Sequence, residues 1–135
     1  YDGQNWATFL ANHASEIWAC DFVQTYDLFF RTVFVFFIIE HGSRRVVHAG
    51  VTRHPTDEWV AQQVRNATPF GEGPRFLICD HDDKYGPRFE QAVKGAGIDL
   101  IHTPPYAPVF DKQIVIHLID EKRASGVKVN DSNDR

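Results

Sequence analysis

One uninterrupted apolar run constrains the fold of this chain more than any other feature. Residues 33–39 read VFVFFII and contain no polar side chain. A strand with one face in water alternates apolar and polar residues, so such a uniform run suits a strand covered on both faces. The run is far too short to cross a membrane, which takes about 20 apolar residues. We therefore expect an inner strand of a layered protein and no membrane partner.

The segments around this run predict the order βββαβαβ. Apolar strand patterns cover residues 17–25, 28–40, 44–52, 75–79 and 98–102, and helical patterns cover 55–67 and 87–96. Three strands joined by short turns favour an antiparallel meander, and later strands that alternate with helices favour parallel pairing. The expected fold class is α/β, a mixed five-stranded sheet with helices on both faces.

Composition limits the class of protein. The chain has 135 residues, 43% of them hydrophobic, which suits one domain with its own core. The net charge of −4 opposes a free-standing DNA-binding module, which usually carries a basic surplus. Two cysteines make no disulfide framework and favour a reducing compartment. The absence of methionine leads us to expect a piece of a longer protein.

Two aspartates stand where predicted strands end their apolar parts. Asp21 follows the apolar start of the first strand, and Asp80 follows the fourth. Ligands of open α/β sheets gather beyond the carboxyl ends of strands. If the two strands are neighbours, a cation must relieve the repulsion between the carboxylates. Mg²⁺ binds such carboxylates together with phosphate oxygens, which suits phosphoryl transfer. The plainer alternative for each aspartate is a solvated turn residue.

A second interpretation starts from the pair Asp80 and Asp82. A D-x-D motif after an apolar strand is typical of phosphatases that form an aspartyl-phosphate. Lys84 stands where that motif needs Thr or Val, and the motif normally opens the first strand of its chain. A charged turn is the simpler interpretation of Asp82 and Asp83.

Two long segments carry a family resemblance. Residues 16–66 and 75–108 resemble the catalytic core of insertion-sequence transposases and retroviral-type integrases, the DDE recombinases. The matching motifs are W-x-x-D at Trp18 to Asp21, D-x-D-x-x-Y at Asp80 to Tyr85, and T-P-x-x-A-P at Thr103 to Pro108. The resemblance runs from about Trp6 to Pro108.

This resemblance implies a ribonuclease H-like fold in which strands one and four lie side by side. It also implies Mg²⁺ or Mn²⁺ as cofactor, Asp21 and Asp80 as catalytic metal ligands, and DNA as partner. The implied activity is DNA transposition or integration: hydrolysis frees a 3′-hydroxyl, which then attacks target DNA. A bacterial cytoplasmic location, on the nucleoid when DNA is bound, and possible homo-oligomers follow from the same resemblance.

The resemblance ends abruptly after Pro108. The family's third carboxylate, a glutamate, would fall at position 115, and this chain has Val115 there. Asp111 lies one helical turn earlier and is the candidate substitute, although its side chain is shorter. We expect a lead-in helix over 1–14, an integrase-like core over 15–108, and a divergent segment over 109–135 with a partly disordered tail. A truncated or frameshifted gene end would explain the change.

Three functions from different classes remain open. The first is a strand-joining enzyme, weak or inactive because its third carboxylate is missing. The second is a non-catalytic remnant that retains DNA binding or self-association, and the third is a Mg²⁺-dependent phosphatase or nuclease. Four basic residues are candidate contacts to the DNA backbone, with a solvated charged surface as the alternative. They are Lys84, Arg88, Arg44 and Arg45.

Overall fold

The computed structural model describes residues 3–80, 82–103 and 130–131. The helices are α1 (Gly3–Asn12), α2 (Asp57–Ala67) and α3 (Pro87–Gly95). The strands are β1 (Ile17–Tyr26), β2 (Thr32–Glu40), β3 (Val46–Thr52), β4 (Phe76–Cys79), β5 (Asp99–His102) and β6 (Asn130–Asp131). The predicted order βββαβαβ is therefore present, preceded by α1 and followed by a two-residue strand that the sequence did not suggest.

The strands form one mixed sheet in the order β5-β4-β1-β2-β3-β6. The pairs β1–β2 and β2–β3 are antiparallel, whereas β1–β4, β4–β5 and β3–β6 are parallel. The meander and the later parallel strands are both as predicted. The two long antiparallel pairs place β2 inside the sheet, where a uniformly apolar strand belongs.

Helices cover both faces of the sheet. On one face, α2 and α3 bury a cluster that includes Phe36 and Ile38 of β2. On the other face, Trp6 of α1 packs on β1 and β4, and Phe37 of β2 lies in a separate apolar cluster. Phe36 and Phe37 are both fully buried. Successive side chains of a strand point to opposite faces, so this burial confirms a strand covered on both sides.

The second strand is shorter than predicted. The pattern suggested a strand from residue 28, but β2 begins at Thr32 and residues 28–31 belong to the turn between β1 and β2. The Asp27 carboxylate accepts hydrogen bonds from the backbone N–H groups of Phe29 and Arg31, at 2.8 and 3.0 Å. An aspartate that bonds to nearby backbone in this way competes with the strand ladder and closes a turn.

A single carboxylate joins α2 to α3. Asp57, in the first turn of α2, accepts hydrogen bonds from the backbone N–H groups of Gly86, Arg88 and Phe89 at 2.8 to 3.0 Å. These N–H groups belong to the start of α3, which has no side-chain cap of its own. A Cβ at position 86 would lie 2.8 Å from the Asp57 carboxylate, so the close approach requires glycine there.

The candidate divergent segment over 109–135 lies mostly outside the described residues. Its Asn130–Asp131 forms β6 beside β3, and the predicted partial disorder of the tail stays a prediction. Among the described residues, no helix is both long and apolar enough to cross a membrane.

Replacement of Asp57 tests the link between α2 and α3. Asp57→Ala leaves the first N–H groups of α3 without their charged acceptor. We expect a loss of about 1–3 kcal/mol in the free energy of unfolding, measured by urea denaturation. Asp83→Ala, at an exposed aspartate of the neighbouring loop, is the control and should change the free energy of unfolding little. Equal effects of the two substitutions would contradict the capping role.

Candidate metal-binding carboxylate site

The pairing of β1 with β4 brings the two predicted aspartates together. The strands run parallel with Ile17 opposite Phe76 and Ala19 opposite Ile78. The same register, continued by two residues, puts Asp21 opposite Asp80. Neighbouring strands are about 4.8 Å apart, so the two carboxylates can share one cation. Asp21 lies within β1 rather than at its end, because β1 continues to Tyr26.

Both carboxylates belong to the sheet face that α1 covers. Along β1, Ala19 lies in the cluster under α1, whereas Cys20 and Phe22 lie in the cluster under α2 and α3. Asp21 alternates with these last two and shares the face of Ala19. The same alternation along β4 places Asp80 on the face of Ile78. Register and alternation, continued beyond the paired residues, thus predict that the two carboxylates share one face.

The two aspartates differ in their exposure. Asp21 is only 8% exposed, whereas Asp80 is exposed. The Asp21 carboxylate accepts a hydrogen bond from the N–H of Phe22 at 2.8 Å. A buried carboxylate is costly unless hydrogen bonds or a cation compensate it. Asp21 therefore suits a fixed ligand, and Asp80 suits a ligand at the entrance of the site.

These residues fit one divalent cation in part. Two carboxylates plus phosphate oxygens are a sufficient set for Mg²⁺, which usually keeps several water ligands. Within residues 3–80, 82–103 and 130–131, no group of three His, Cys, Asp or Glu side chains could hold a metal ion. Val115 and the candidate substitute Asp111 lie outside the described residues, so both assignments stay predictions.

Two cysteines and a tyrosine lie on the opposite face. Cys20 and Cys79 are buried free thiols. Burial, and then the neighbouring Cys79, raises the pKa of Cys20, which makes this thiol unreactive. Burial, and then the nearby Cys20 and Asp21, raises the pKa of Tyr85. The Tyr85 ring packs on Phe89 at 4.8 Å between ring centroids.

The loop after Asp80 carries a lysine on an aromatic surface. The Lys84 ammonium lies 5.4 Å from the ring centroid of Phe22 and 5.3 Å from that of Phe34. It also pairs with the Asp82 carboxylate at 3.2 Å, and Asp82 accepts the N–H of Lys84. Both rings belong to the cluster under α2 and α3, so Lys84 lies at the carboxylate end of the sheet but on the opposite face from Asp21.

The other candidate DNA contacts fall in two places. Arg88 stands in the first turn of α3, at the same edge as Lys84, and pairs with Glu58 on the surface. Arg44 and Arg45 follow β2, whose end lies beside the beginning of β1, because Trp18 pairs with Glu40. The two arginines therefore lie away from the carboxylates. The sequence pattern around Arg44 and Arg45 did not indicate this separation.

Sequence reasoning missed the residues that hold the site in place. Asp57 and Asp27 both act through hydrogen bonds to backbone N–H groups. The partners of Asp57 lie 29 to 32 residues away in the sequence. The backbone partners of Asp27 lie within four residues. A signal did exist at Asp57, because T-D at the start of a helix is typical of capping. Its cap of a second helix required the tertiary structure.

The buried hydroxyl of Tyr85 gives a stability test. It has no nitrogen or oxygen partner among the described residues, and its buried side chain lies beside the Cys20 thiol, a weak hydrogen-bonding group. Tyr85→Phe removes a polar atom that has at most this weak partner and keeps the ring packing, so thermal unfolding should show equal or higher stability. Tyr85→Leu is the comparison variant and should be less stable because it loses the aromatic contacts. A clear loss of stability in Tyr85→Phe would reveal a hydrogen bond of the hydroxyl.

Comparisons with known proteins support the fold. No family model matches the chain, and no curated protein matches it by sequence. A chain in the simian T-cell lymphotropic virus intasome, solved in complex with the PP2A regulatory subunit B56 gamma, superposes with a TM-score of 0.63 at 14% identity. That match covers 86% of this chain and 44% of the other, so the present chain spans less than half of that protein.

Two integrase catalytic cores are also similar. The core of BIV integrase gives a TM-score of 0.60 at 21% identity, over 82% of this chain and 68% of that one. The core of HTLV-2 integrase, solved with magnesium in a trimeric form, gives 0.58 at 11% identity, over 82% and 65%. The described chain thus has the α/β, ribonuclease H-like fold of retroviral integrase catalytic cores.

Proposed function

We propose that this chain is the catalytic core of a DNA strand-joining recombinase of the insertion-sequence transposase type. The observation that carries the proposal is the parallel pairing of β1 with β4, whose register, if continued two residues beyond Ala19 and Ile78, sets Asp21 opposite Asp80. The resemblance of the sequence motifs W-x-x-D and D-x-D-x-x-Y points to the same function.

The chain's own residues would bind and orient the reacting groups. Asp21 and Asp80 would hold Mg²⁺ or Mn²⁺, which supplies charge stabilisation to phosphoryl oxygens when bound. Lys84 and Arg88, which lie at the same end of the sheet but on the side of α2 and α3, would contact DNA phosphates that flank the carboxylates. The reactions would be strand cleavage and then transfer of the freed 3′-hydroxyl to target DNA.

The proposed activity is weak because the third carboxylate is missing. Two carboxylates hold one ion, but a clamp on both the attacking and leaving oxygens needs a second ion with its own ligands. Loss of one member of such a unit typically costs orders of magnitude in rate. Asp111 remains the substitute to test. Within the proposal, residues 15–108 form the core and 109–135 the divergent segment.

Val115 favours a second candidate, a non-catalytic remnant that retains DNA binding or self-association. This candidate keeps the same fold and the same DNA partner but lacks turnover. The third interpretation, a phosphatase or nuclease with Asp82 as its second acid, is less favoured because Lys84 engages the Asp82 carboxylate through its ammonium and its backbone N–H. A bacterial nucleoid-associated location and a homo-oligomer belong to the proposal as well.

Substitution of the two aspartates tests the proposal. In Mg²⁺ or Mn²⁺, we expect weak nicking of supercoiled plasmid DNA by the unaltered chain. Asp21→Asn and Asp80→Asn should each lower this nicking by about two orders of magnitude, because the ion loses a ligand. Asp83→Asn, in the same loop, is the control and should nick like the unaltered chain. Nicking that survives both site substitutions would contradict the proposal.

Restoration of the third carboxylate separates the enzyme from the remnant. Val115→Glu should raise the nicking rate at least about tenfold if the rest of the site is intact. Val115→Gln has nearly the same shape without the charge and should not raise the rate. Equal nicking rates for Val115→Glu and Val115→Gln would favour the non-catalytic remnant. A change of rate caused by altered packing at position 115 would appear in both variants.

A further inference from the structure

The tip of the β1–β2 hairpin exposes three large apolar side chains. Leu28 is 93% exposed, Phe29 75% and Phe30 87%. We call residues 28–30 the hairpin tip. Large apolar side chains grouped on a protruding loop gain nothing for folding when they stay in water. Such a group marks a surface that another molecule covers.

Asp27 holds the hairpin tip in one conformation. Its carboxylate accepts hydrogen bonds from the two backbone N–H groups already described. It also accepts a hydrogen bond from Nε of Arg31 at 3.0 Å and forms an ion pair with a guanidinium nitrogen of Arg53 at 2.7 Å. The backbone N–H of Asp27 donates a hydrogen bond to the carbonyl oxygen of Arg31, at 3.0 Å between nitrogen and oxygen, and this bond closes the turn. These bonds, first of all the one from the Arg31 N–H, keep the pKa of Asp27 far below its usual range. The tip is therefore a fixed projection throughout the neutral pH range.

Phe30 occupies a backbone conformation that favours glycine. Its φ is 60°, in the left-handed region, which is strained for a bulky side chain. Three-residue hairpin loops usually carry glycine at this position. The aromatic ring is exposed, so no packing offsets the strain. Phe70 is also exposed and has a φ of 59°, so the strain at Phe30 points to a function only together with the apolar and arginine side chains beside it.

The hairpin tip extends from the strand that carries Asp21. Asp27 lies six positions after Asp21 along the chain, a distance of about 20 Å at the rise of a strand. This length corresponds to about six nucleotides of a DNA strand. The tip thus lies within reach of a duplex whose scissile phosphate sits at the carboxylates. Phe70, which is 99% exposed, lies before β4 at the opposite edge of the sheet.

The charges around the hairpin tip favour nucleic acid as the occupant. Arg31 and Arg53 both pair with the Asp27 carboxylate, so two guanidinium groups lie at the base of the tip. The Arg31 guanidinium also lies over the Phe29 ring, 5.3 Å from its centroid. Apolar wedges flanked by arginine are typical of proteins that unstack base steps, and aromatic rings stack on unpaired bases.

We propose that the hairpin tip inserts into DNA bound at the carboxylate site and stacks on unpaired bases about six nucleotides from the cleavage point. The inference deepens the proposed function and rests on it, because DNA must lie over Asp21 and Asp80. Phe29 and Phe30 stack on the bases, and Arg31 and Arg53 contact the flanking phosphates.

Binding to two matched DNA probes tests the insertion. The probes are a fluorescein-labelled duplex with a central stretch of unpaired thymines and the same duplex fully paired. The unaltered chain should bind the first probe more tightly. Phe29→Ala should reduce that preference by about fivefold or more, because stacking on one base is lost. Phe70→Ala, at another exposed aromatic residue, should keep the preference.

The outcomes separate the inference from the proposed function. If Phe29→Ala and Phe70→Ala both keep the preference, or both lose it equally, the inference is overturned. It is also overturned if Phe29→Ala changes only the sedimentation of the chain, because the tip would then bind a second copy. Asp80→Asn should lose nicking and keep the preference for unpaired thymines. A chain that never nicks plasmid DNA but shows the tip-dependent preference fails the proposed function alone.

A second substitution tests the reason for the strain. Phe30→Gly relieves the left-handed conformation, so thermal unfolding should occur at a higher temperature. The same variant should bind the probe with unpaired thymines more weakly, because it lacks the ring. Higher stability with unchanged DNA binding would overturn the role of Phe30. Lower stability would show that the aromatic ring serves the fold instead.

Discussion

The parallel pairing of β1 with β4 is the constraint on which the rest of the structure depends. It joins the antiparallel meander to the alternating half of the chain, and it sets the register that puts Asp21 beside Asp80. A slip of one residue would turn one carboxylate to the opposite face, among Cys20 and the core under the helices. The apolar side chains that flank each aspartate in its strand hold this register, because their burial on two faces leaves one alignment.

The apolar run of β2 supports that arrangement from the other side. Phe36 and Phe37 point to opposite faces, and each lies in a buried cluster. The second strand is therefore buried on both faces, and it pairs with the strand that carries Asp21 from Trp18 to Tyr26. A carboxylate in the middle of such a strand has little freedom to move. This rigidity suits a site whose ligands must hold one geometry during phosphoryl transfer.

Much of the fold could be predicted from periodicity, whereas several features of the site could not. The strand order and the aspartate pair followed from local patterns, from alternation and from motif resemblance. The hairpin tip was hidden because residues 28–30 continue the apolar pattern of β2, and only the hydrogen bonds of Asp27 end the strand. Pairing of β6 with β3 joins residues far apart in sequence, so no local signal announces it. The distance of Arg44 from the carboxylates follows from the antiparallel turn, which basic composition cannot reveal.

The capping of α3 by Asp57 limits how this chain can change over time. The loop that begins at Asp80 ends at Gly86, where the backbone touches the Asp57 carboxylate. A side chain at position 86 would push the Asp57 carboxylate out of its hydrogen bonds, and a shorter residue at position 57 leaves α3 uncapped. The two positions therefore depend on each other although they lie far apart in sequence. In related chains we expect the residues at positions 57 and 86 to vary together, so that a chain without the aspartate also lacks the glycine.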